Sequence, residues 1–519
     1  MVELSPFVTS VSTDKGYVAT SSLAGSRVNT ALKDIAAQID VMTVEFLNDI
    51  AATNMDEAVA FSTNNGTPAD QNVDGNNGIV NTRAVGRARG FDAITQSADF
   101  YETYLPSEFY NMDRLNLFAG RRLDQFKSFL IDPKYLVRGD QTTAGDGRGL
   151  YTPLSQTDFE ADPSLDDDAA TYSYGAVLHA TRWFSVFGSK SDNTSLPQGF
   201  LDTENNLLPG VASDGYDFGF RTSLRDDSIS MRVNFYKEHQ KNLIGDGQAV
   251  REASDDIEQR LRGSDRPAGI ANVPADGFDP VTRGAGVYRS IEDKIGRGID
   301  VTLVARITSN WDARIAVGQQ KTYVYNKGAD FHRWVERRLP VWQSFGGLGW
   351  DNVTISPTDS RTVHQYYDQD VAAEILRDQL RNALPRFRQR VWRANLFTNY
   401  RFTEGGLKGL NLGGGVRWFD QPITTGYYQR VFPNGQMGDD VTRPIPGVGQ
   451  TFVDLLLGYG GRTKFFGGRR IGWRVQLNIR NVLDNDDIEP IRSHNYTAEG
   501  LHWGRVEPRQ FILTTSFTF

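Results

Sequence analysis

From about Arg114 to its last residue the chain alternates repeatedly between apolar and polar side chains with a period of two. A strand points successive side chains to opposite faces, so this pattern dictates strands with one apolar and one polar face. The clearest run is Arg470 to Arg480. Ile471, Trp473, Val475, Leu477 and Ile479 share one face, and Arg470, Gly472, Arg474, Gln476, Asn478 and Arg480 share the other. Trp392, Ala394, Leu396, Tyr400 and Phe402 stand in the same way opposite Arg393, Asn395, Asn399 and Arg401. Further runs pass through Tyr216–Phe220, Ile229–Phe235, Ile299–Ile307, Val453–Tyr459 and Phe511–Phe519. The clearest runs are about 9–12 residues long, enough to cross a bilayer at a tilt, whereas strands in general average about 5–6 residues.

The connections carry the second constraint. Reading back from Phe519, segments 481–507, 420–449, 326–390, 238–297 and 190–213 are long. Between them lie the short segments 460–468, 403–409, 308–310 and 225–228. Every second connection is short, as in an up-and-down membrane barrel with periplasmic turns and extracellular loops. The expected fold is therefore mainly β, an antiparallel transmembrane β-barrel of about 12 strands and incomplete, since single-chain bacterial barrels carry even numbers. Eleven of these strands are read directly and a twelfth is expected near Leu117–Leu130 or Tyr151–Phe159. A soluble sheet-rich protein alternates too, but it does not require long strands or this rhythm.

Composition agrees. The chain has 51 glycines and 11% aromatic residues, a mixture suited to turns and aromatic girdles. Hydrophobic content is only 39% and mean hydropathy is −0.45, and no apolar run is long enough for a transmembrane helix. A barrel needs only one apolar face per strand, so low hydropathy does not argue against it. With no cysteine, thiol catalysis, Cys-ligated zinc and disulfides are excluded. A net charge of −8 excludes the basic stripe of a nucleic-acid binder. Met1 leads directly into Val2-Glu3-Leu4 with no secretion signal, so the natural N-terminus is expected to lie upstream or to have been removed.

Little in the sequence points to chemistry, and no catalytic residue, cofactor site or metal site is expected. The stretch from His364 to Asp370 and the acidic group Asp162, Asp166, Asp167 and Asp168 read as solvated loops rather than metal sites. Gly145-Asp146-Gly147-Arg148-Gly149 lacks the strand–helix context of a nucleotide fingerprint. Trp183, Trp392, Trp418, Tyr459 and Trp473 read as lipid-facing belts.

Both ends of the chain resemble TonB-dependent receptors. Leu23 to Thr30, Leu32-Lys33-Asp34-Ile35, Ile39 to Thr43, Phe46-Leu47 and Ala52-Thr53-Asn54 follow the order of the family's plug, and Arg89-Gly90-Phe91 is similar to its Arg-Gly-Phe motif. Asn478 to Asp484 resembles the penultimate strand and its Asn-Leu-Phe-Asp signature, with Val-Leu replacing Leu-Phe. The last strand carries Phe517 and ends on Phe519, which the resemblance implies is read by the barrel-assembly machinery. Val2, Glu3, Leu4, Ser5, Pro6, Phe7, Val8 and Thr9 resemble a TonB box. An extended segment there can add as a strand to a partner sheet, with Pro6 limiting it to one edge; the alternatives are an ordinary first strand of the plug or a disordered terminus.

The resemblance implies three parts: a TonB-box-like segment at 1–15, an α+β plug at 16–115, and a C-terminal portion of barrel at 116–519. It implies a non-enzymatic receptor in the outer membrane that takes up a siderophore, cobalamin or glycan, with a TonB-like energy-transducing protein and outer-membrane lipid as partners. A passive porin- or adhesin-like barrel and a soluble β-rich binding protein are the alternatives. The chain also departs from the family. The Arg-Gly-Pro motif and Gly-rich strand expected after Asp113-Arg114-Leu115 are absent. Barrels of the family have about 22 strands, so roughly the first ten are expected to be missing, with loss of transport as a consequence. A closed barrel of about 12 strands is too narrow to hold a folded plug. The expectation is an open, curved half-barrel in which Arg393, Arg401, Arg417 and Arg474 meet polar groups of the plug.

Overall fold

A computed structural model describes residues 14–22, 30–66, 87–92, 97–98, 101–102, 114–118, 126–128, 165–167, 171–194, 200–245, 248–386, 389–431, 437–464, 470–493, 501–506 and 508–518. Within them the alternating runs form one antiparallel sheet of eleven strands. These are β1 (Ser173–His179), β2 (Phe184–Thr194), β3 (Ala212–Leu224), β4 (Ile229–Ile244), β5 (Ile291–Thr308), β6 (Trp311–Tyr325), β7 (Trp392–Arg401), β8 (Leu410–Phe419), β9 (Gln450–Lys464), β10 (Arg470–Arg480) and β11 (Gln510–Thr518). Each pairs with the next in order. Tight turns join Leu224 to Ile229 and Thr308 to Trp311, the latter beside a register shift. Phe402 and Leu410 close the β7–β8 turn through backbone bonds.

Two sequence expectations are corrected. The sheet has eleven strands among the described residues, not twelve. Arg114–Phe118 pairs instead with Ile39–Thr43, and Phe126–Ser128 pairs with Leu165–Asp167 outside the large sheet; Tyr151–Phe159 lies outside the described residues. The connection expected at 238–297 is also shorter, because β4 runs on to Ile244 and β5 begins at Ile291. In these extensions both strand faces are mainly polar, so the sequence loses its period while the backbone ladder continues.

Side-chain exposure follows the alternation. On β10, Val475 is 38% exposed while Gln476 and Asn478 are each 4% exposed. Exposed aromatics mark both rims. Trp183, Trp311, Tyr400 and Tyr459 lie toward the short turns, and Tyr174, Tyr216, Trp392 and Trp418 toward the long connections. That is the arrangement of aromatic girdles around an apolar band. Val475→Arg is expected to destabilise the sheet by about 2–4 kcal/mol in liposomes, whereas an unchanged urea midpoint would refute a lipid-facing Val475.

The other face of the sheet packs on the N-terminal residues. Tyr17, Met42, Phe46, Leu47, Ile50, Ala58 and Phe61 form a buried cluster with Phe397 of β7 and Leu456 of β9. Phe397 occupies the polar register of its strand. Its ring meets Phe46 and Phe61 edge-on, with centroids 6.1 and 5.9 Å away, a favoured geometry for aromatic pairs. A second core lies in the long connections. Helices α1 (Gln248–Arg262), α2 (Ala329–Ser344) and α3 (Ala373–Arg381) belong to a cap over the sheet. Val250, Ile257, Leu261, Phe278, Phe331, Trp334, Trp342, Phe345 and Val371 are among its buried side chains.

Candidate functional site

The seam between the N-terminal residues and the wall is built from three kinds of contact. The first is a helix end. Val44–Asp49 forms a short helix capped at its start by Thr43, whose hydroxyl accepts from Phe46 N at 3.3 Å. A helix leaves its last carbonyls without partners, and β10 supplies them. Gln476 donates to Asn48 O at 2.9 Å, Asn478 to Asp49 O at 2.7 Å, and Arg480 to Ala51 O at 2.9 Å. Arg474, the next residue on that face, pairs with the Asp49 carboxylate at 2.8 Å.

Asp49 is fully buried. Its carboxylate also accepts from Tyr17 Oη at 2.9 Å, Asn399 Nδ2 at 2.7 Å and Arg401 Nη2 at 3.1 Å. Burial, and then the Asp49 carboxylate, push the Tyr17 phenol well above its usual range, so it remains a neutral donor. Arg401 further pairs with Asp312 at 2.6 Å and with Glu45.

The second contact is Arg89. Its guanidinium reaches Asp217 of β3 at 2.8 Å, Glu238 of β4, and Asp300 of β5 at 3.3 Å, and lies 4.2 Å from the centroid of the Tyr236 ring. Burial works against its charge, but Asp217, Glu238 and Asp300 outweigh it and hold the pKa well above the usual value. Gly90 follows with φ of +84°, and a Cβ there would collide with the Thr322 hydroxyl. Phe91 is buried against Gly296, where any side chain would strike the ring. Each residue of this motif thus meets a stated requirement: charge, a left-handed backbone, and a ring seated on bare backbone.

The third contact is carbonyl capture by arginine. Arg221 donates to Leu32 O at 2.7 Å and Ala37 O at 2.8 Å. Arg232 reaches Ile39 O, Arg393 reaches Asn65 O and Arg386 reaches Gly90 O. Arg314 takes the Asp40 carboxylate at 2.6 Å. Of the four arginines expected to meet the plug, Arg393, Arg401 and Arg474 hydrogen-bond to the N-terminal residues Asn65 and Asp49. Arg417 pairs instead with Asp454 of β9 at 2.8 Å and turns its guanidinium over the Phe61 ring at 5.5 Å.

A family model for the TonB-dependent receptor-like β-barrel matches residues 8–482. The chain belongs to the TonB-dependent receptors. No curated protein matches it. Similar solved structures include the ferripyoverdine receptor of Pseudomonas aeruginosa bound to ferripyoverdine, at 14% identity over 68% of this chain and 33% of that one, with a TM-score of 0.39. The siderophore receptor PiuA of Acinetobacter baumannii matches at 12% identity over 67% of this chain and 36% of that one, with a TM-score of 0.38. The ferric-catecholate import receptor Fiu of Escherichia coli matches at 15% identity over 66% and 34%, with a TM-score of 0.36. This TonB-dependent receptor chain spans about a third of the length of those receptors.

Of the receptor's sequence-predicted site residues, Arg89, Gly90 and Phe91 sit together at the seam, and Phe517 is exposed on β11. Val2 to Thr9 and Phe519 lie outside the described residues. His364 stacks flat on Trp350, centroids 4.2 Å apart, and bonds Asp351 at 2.8 Å. Asp166 and Asp167 lie in the Leu165–Asp167 strand, while Asp162 and Asp168 lie outside the described residues, as does Gly145 to Gly149.

Sequence reasoning missed the cap. Glu258 of α1 is fully buried and accepts from Arg338 Nε at 2.6 Å, Arg262 Nε at 2.7 Å and Trp342 Nε1 at 2.8 Å. Beside it a cleft of about 260 Å³ is lined by Asp256, Arg260, Asp265, Ile355, Asp359 and Tyr366, among others. Glu258→Ala leaves Arg338 buried without its carboxylate and is expected to cost about 3–5 kcal/mol. Protease protection of the cap should fall while the eleven-stranded sheet keeps its urea midpoint; a joint loss would show that cap and wall unfold as one unit.

Proposed function

We propose that this chain works as an outer-membrane receptor in TonB-dependent uptake of a scarce ligand, a siderophore, a cobalamin or a glycan. Residues 1–15 are the energy-coupling segment, 16–115 the plug and 116–519 the wall with its extracellular cap. The observation that carries this reading is Arg89, held by carboxylates from three successive wall strands. A passive pore has no use for a buried, charge-locked insert across its bore. The partners in this reading are a TonB-like protein, outer-membrane lipid, and an assembly machinery that reads Phe517 and Phe519.

Coupling runs through Val2 to Thr9, which add as a strand to the sheet of the TonB-like protein. The described part of the chain then continues to Tyr17, which is tied to Asp49. The TonB C-terminal domain is expected to retain the wild-type chain in a pull-down and to lose most of it after Leu4→Pro, since proline removes an N–H from the added strand. Equal capture of both proteins would count against the segment as a TonB contact and return it to an ordinary first strand of the plug.

A further inference from the structure

The cleft in the cap is formed where two connections meet. Asp256 and Arg260 come from α1, between β4 and β5, while Ile355, Asp359 and Tyr366 come from the connection between β6 and β7. Two contacts tie the connections together at its wall. Tyr366 donates its hydroxyl to the Asp256 carboxylate, and Arg260 Nε donates to Thr354 O at 2.8 Å. Ile257 and Leu261 on α1 share one buried core with Ile355 and Val363 of the other connection, so the polar groups stand on packed elements. Directly after Tyr366 the chain winds through a π-helical turn, Tyr367–Ala372, a widening that recurs at functional sites.

The groups that line the cleft are oriented from behind. Arg361 holds the Asp359 carboxylate at 2.6 Å, reaches Asp370 at 2.6 Å, and lies 4.8 Å from the centroid of the Tyr366 ring. Burial first, and then the bond to Asp256, push the Tyr366 phenol above its usual range, so it stays a neutral donor. An ionised carboxylate has room for about four hydrogen bonds. Asp256 gives one place to Tyr366, and Asp265 meets the Ser264 hydroxyl at 3.3 Å, so both retain acceptor capacity. Arg260 spends Nε on Thr354 O and Nη1 on Asp265 O, and its guanidinium has further N–H groups to give.

This mixture discriminates between ligand chemistries. An anion meets Asp256, Asp265 and Asp359 against Arg260 alone in the lining, and is repelled. An apolar group strips water from the carboxylates and returns nothing. A cation suits Asp256 and Asp265 but also meets Arg260, and Asp359 is already neutralised by Arg361. A neutral hydroxyl both donates and accepts, and a row of them satisfies carboxylates and guanidinium together. We propose that the cap cleft is a binding subsite for a neutral polyhydroxylated ligand, one or two sugar rings of a glycan, whose hydroxyls donate to Asp256 and Asp265 and accept from Arg260. The volume of about 260 Å³ lies just under the roughly 300–1,000 Å³ of pockets that enclose drug-sized ligands. It admits the end of a glycan and not a corrinoid or a bulky ferric chelate.

The subsite rests on the uptake reading proposed above and selects the glycan among its three ligands, and the test separates the two. The full chain, purified in detergent, is applied to a printed array of neutral gluco-, manno-, galacto- and xylo-oligosaccharides, with spermidine as the cationic probe and ferric citrate as the anionic one. At least one neutral oligosaccharide is expected to be retained, in preference to both charged probes. Asp256→Asn keeps an acceptor for Tyr366 but loses the charge, and should weaken that binding about tenfold or more, the worth of one charge-assisted hydrogen bond. Ser264→Trp fills the cleft without touching the Asp256–Tyr366 or Arg260–Thr354 contacts and should weaken it at least as much. If Asp256→Asn opens the cap to protease, Ser264→Trp alone decides. No bound oligosaccharide, equal binding by wild type and Ser264→Trp, or preference for spermidine or ferric citrate overturns the subsite. Capture by the TonB C-terminal domain is scored on the same preparation. Capture that Leu4→Pro abolishes, with no oligosaccharide bound, overturns the subsite and leaves the uptake reading. Capture indifferent to Leu4→Pro, with oligosaccharide bound in the cleft, supports the subsite and counts against the uptake reading.

Discussion

Arg89→Ala is expected to release the N-terminal residues from the wall, at a cost of about 3–5 kcal/mol or more, the range for removing one partner of a buried ion pair. The effect should lie at or above the top of that range because three carboxylates lose their cation together. The side chain of Asp300 is 2% exposed and that of Asp217 is 15% exposed, so water replaces the guanidinium poorly. Two carboxylates left near one another also repel. Arg89→Lys keeps the charge but not the planar fork that reaches three strands at once, and should recover only part of the loss. Adding Asp300→Ala to Arg89→Ala should restore stability relative to the single variant, since it removes the most buried of the stranded charges. Trypsin accessibility of residues 14–92, read by mass spectrometry over a urea series, reports each step. An Arg89→Ala protein with wild-type protection would refute the three-carboxylate lock.

The wall was legible because its physics is local. Which residues face lipid and which face inward follows from a period of two, and Val475, Gln476 and Asn478 obey it. What the inward residues touch was not legible. Gln476 and Asn48 are 428 positions apart, and Asn478 and Asp49 are 429 apart. Nothing in a polar alternation says that it will cap a helix rather than line water. Phe397 was a readable exception, an aromatic in a polar register, and such a breach marks a place where apolar surface must come from elsewhere. The Arg89 motif was found by resemblance, and its meaning came from Asp217, Glu238 and Asp300, which lie on three different strands. The cap was hidden for another reason. Its segments have the spacing of long loops, and their apolar residues form a core only when α1 and α2 meet across the β5 and β6 strands that separate them.

Asp49→Ala is the second large expected effect, and it arises from a conflict inside a six-residue helix. A carboxylate at the C-terminal end of a helix faces the negative end of the helix dipole, and Asp49 is in addition fully buried. Alone, that residue would be destabilising. It is retained because the wall brings Arg474 and Arg401 to its two oxygens, at 2.8 and 3.1 Å, together with Tyr17 and Asn399. Removing the carboxylate therefore removes an unfavourable dipole contact worth at most about 1 kcal/mol and breaks a buried pair worth about 3–5 kcal/mol. The net expectation is a loss of about 3 kcal/mol. The loss is unequally shared between the arginines. Arg401 still has Asp312 and Glu45, whereas Arg474, with its side chain 28% exposed, turns to water. Arg474→Ala should thus cost less than Asp49→Ala, and the two should couple strongly in a double-mutant cycle. Asp49→Asn, which keeps an acceptor for Tyr17 but no charge, should fall between wild type and alanine. Additive losses for Asp49→Ala and Arg474→Ala would mean that the helix end is held by the carbonyl contacts of Gln476, Asn478 and Arg480 alone. In that case the charge at Asp49 would serve some purpose other than seating the N-terminal residues on the wall.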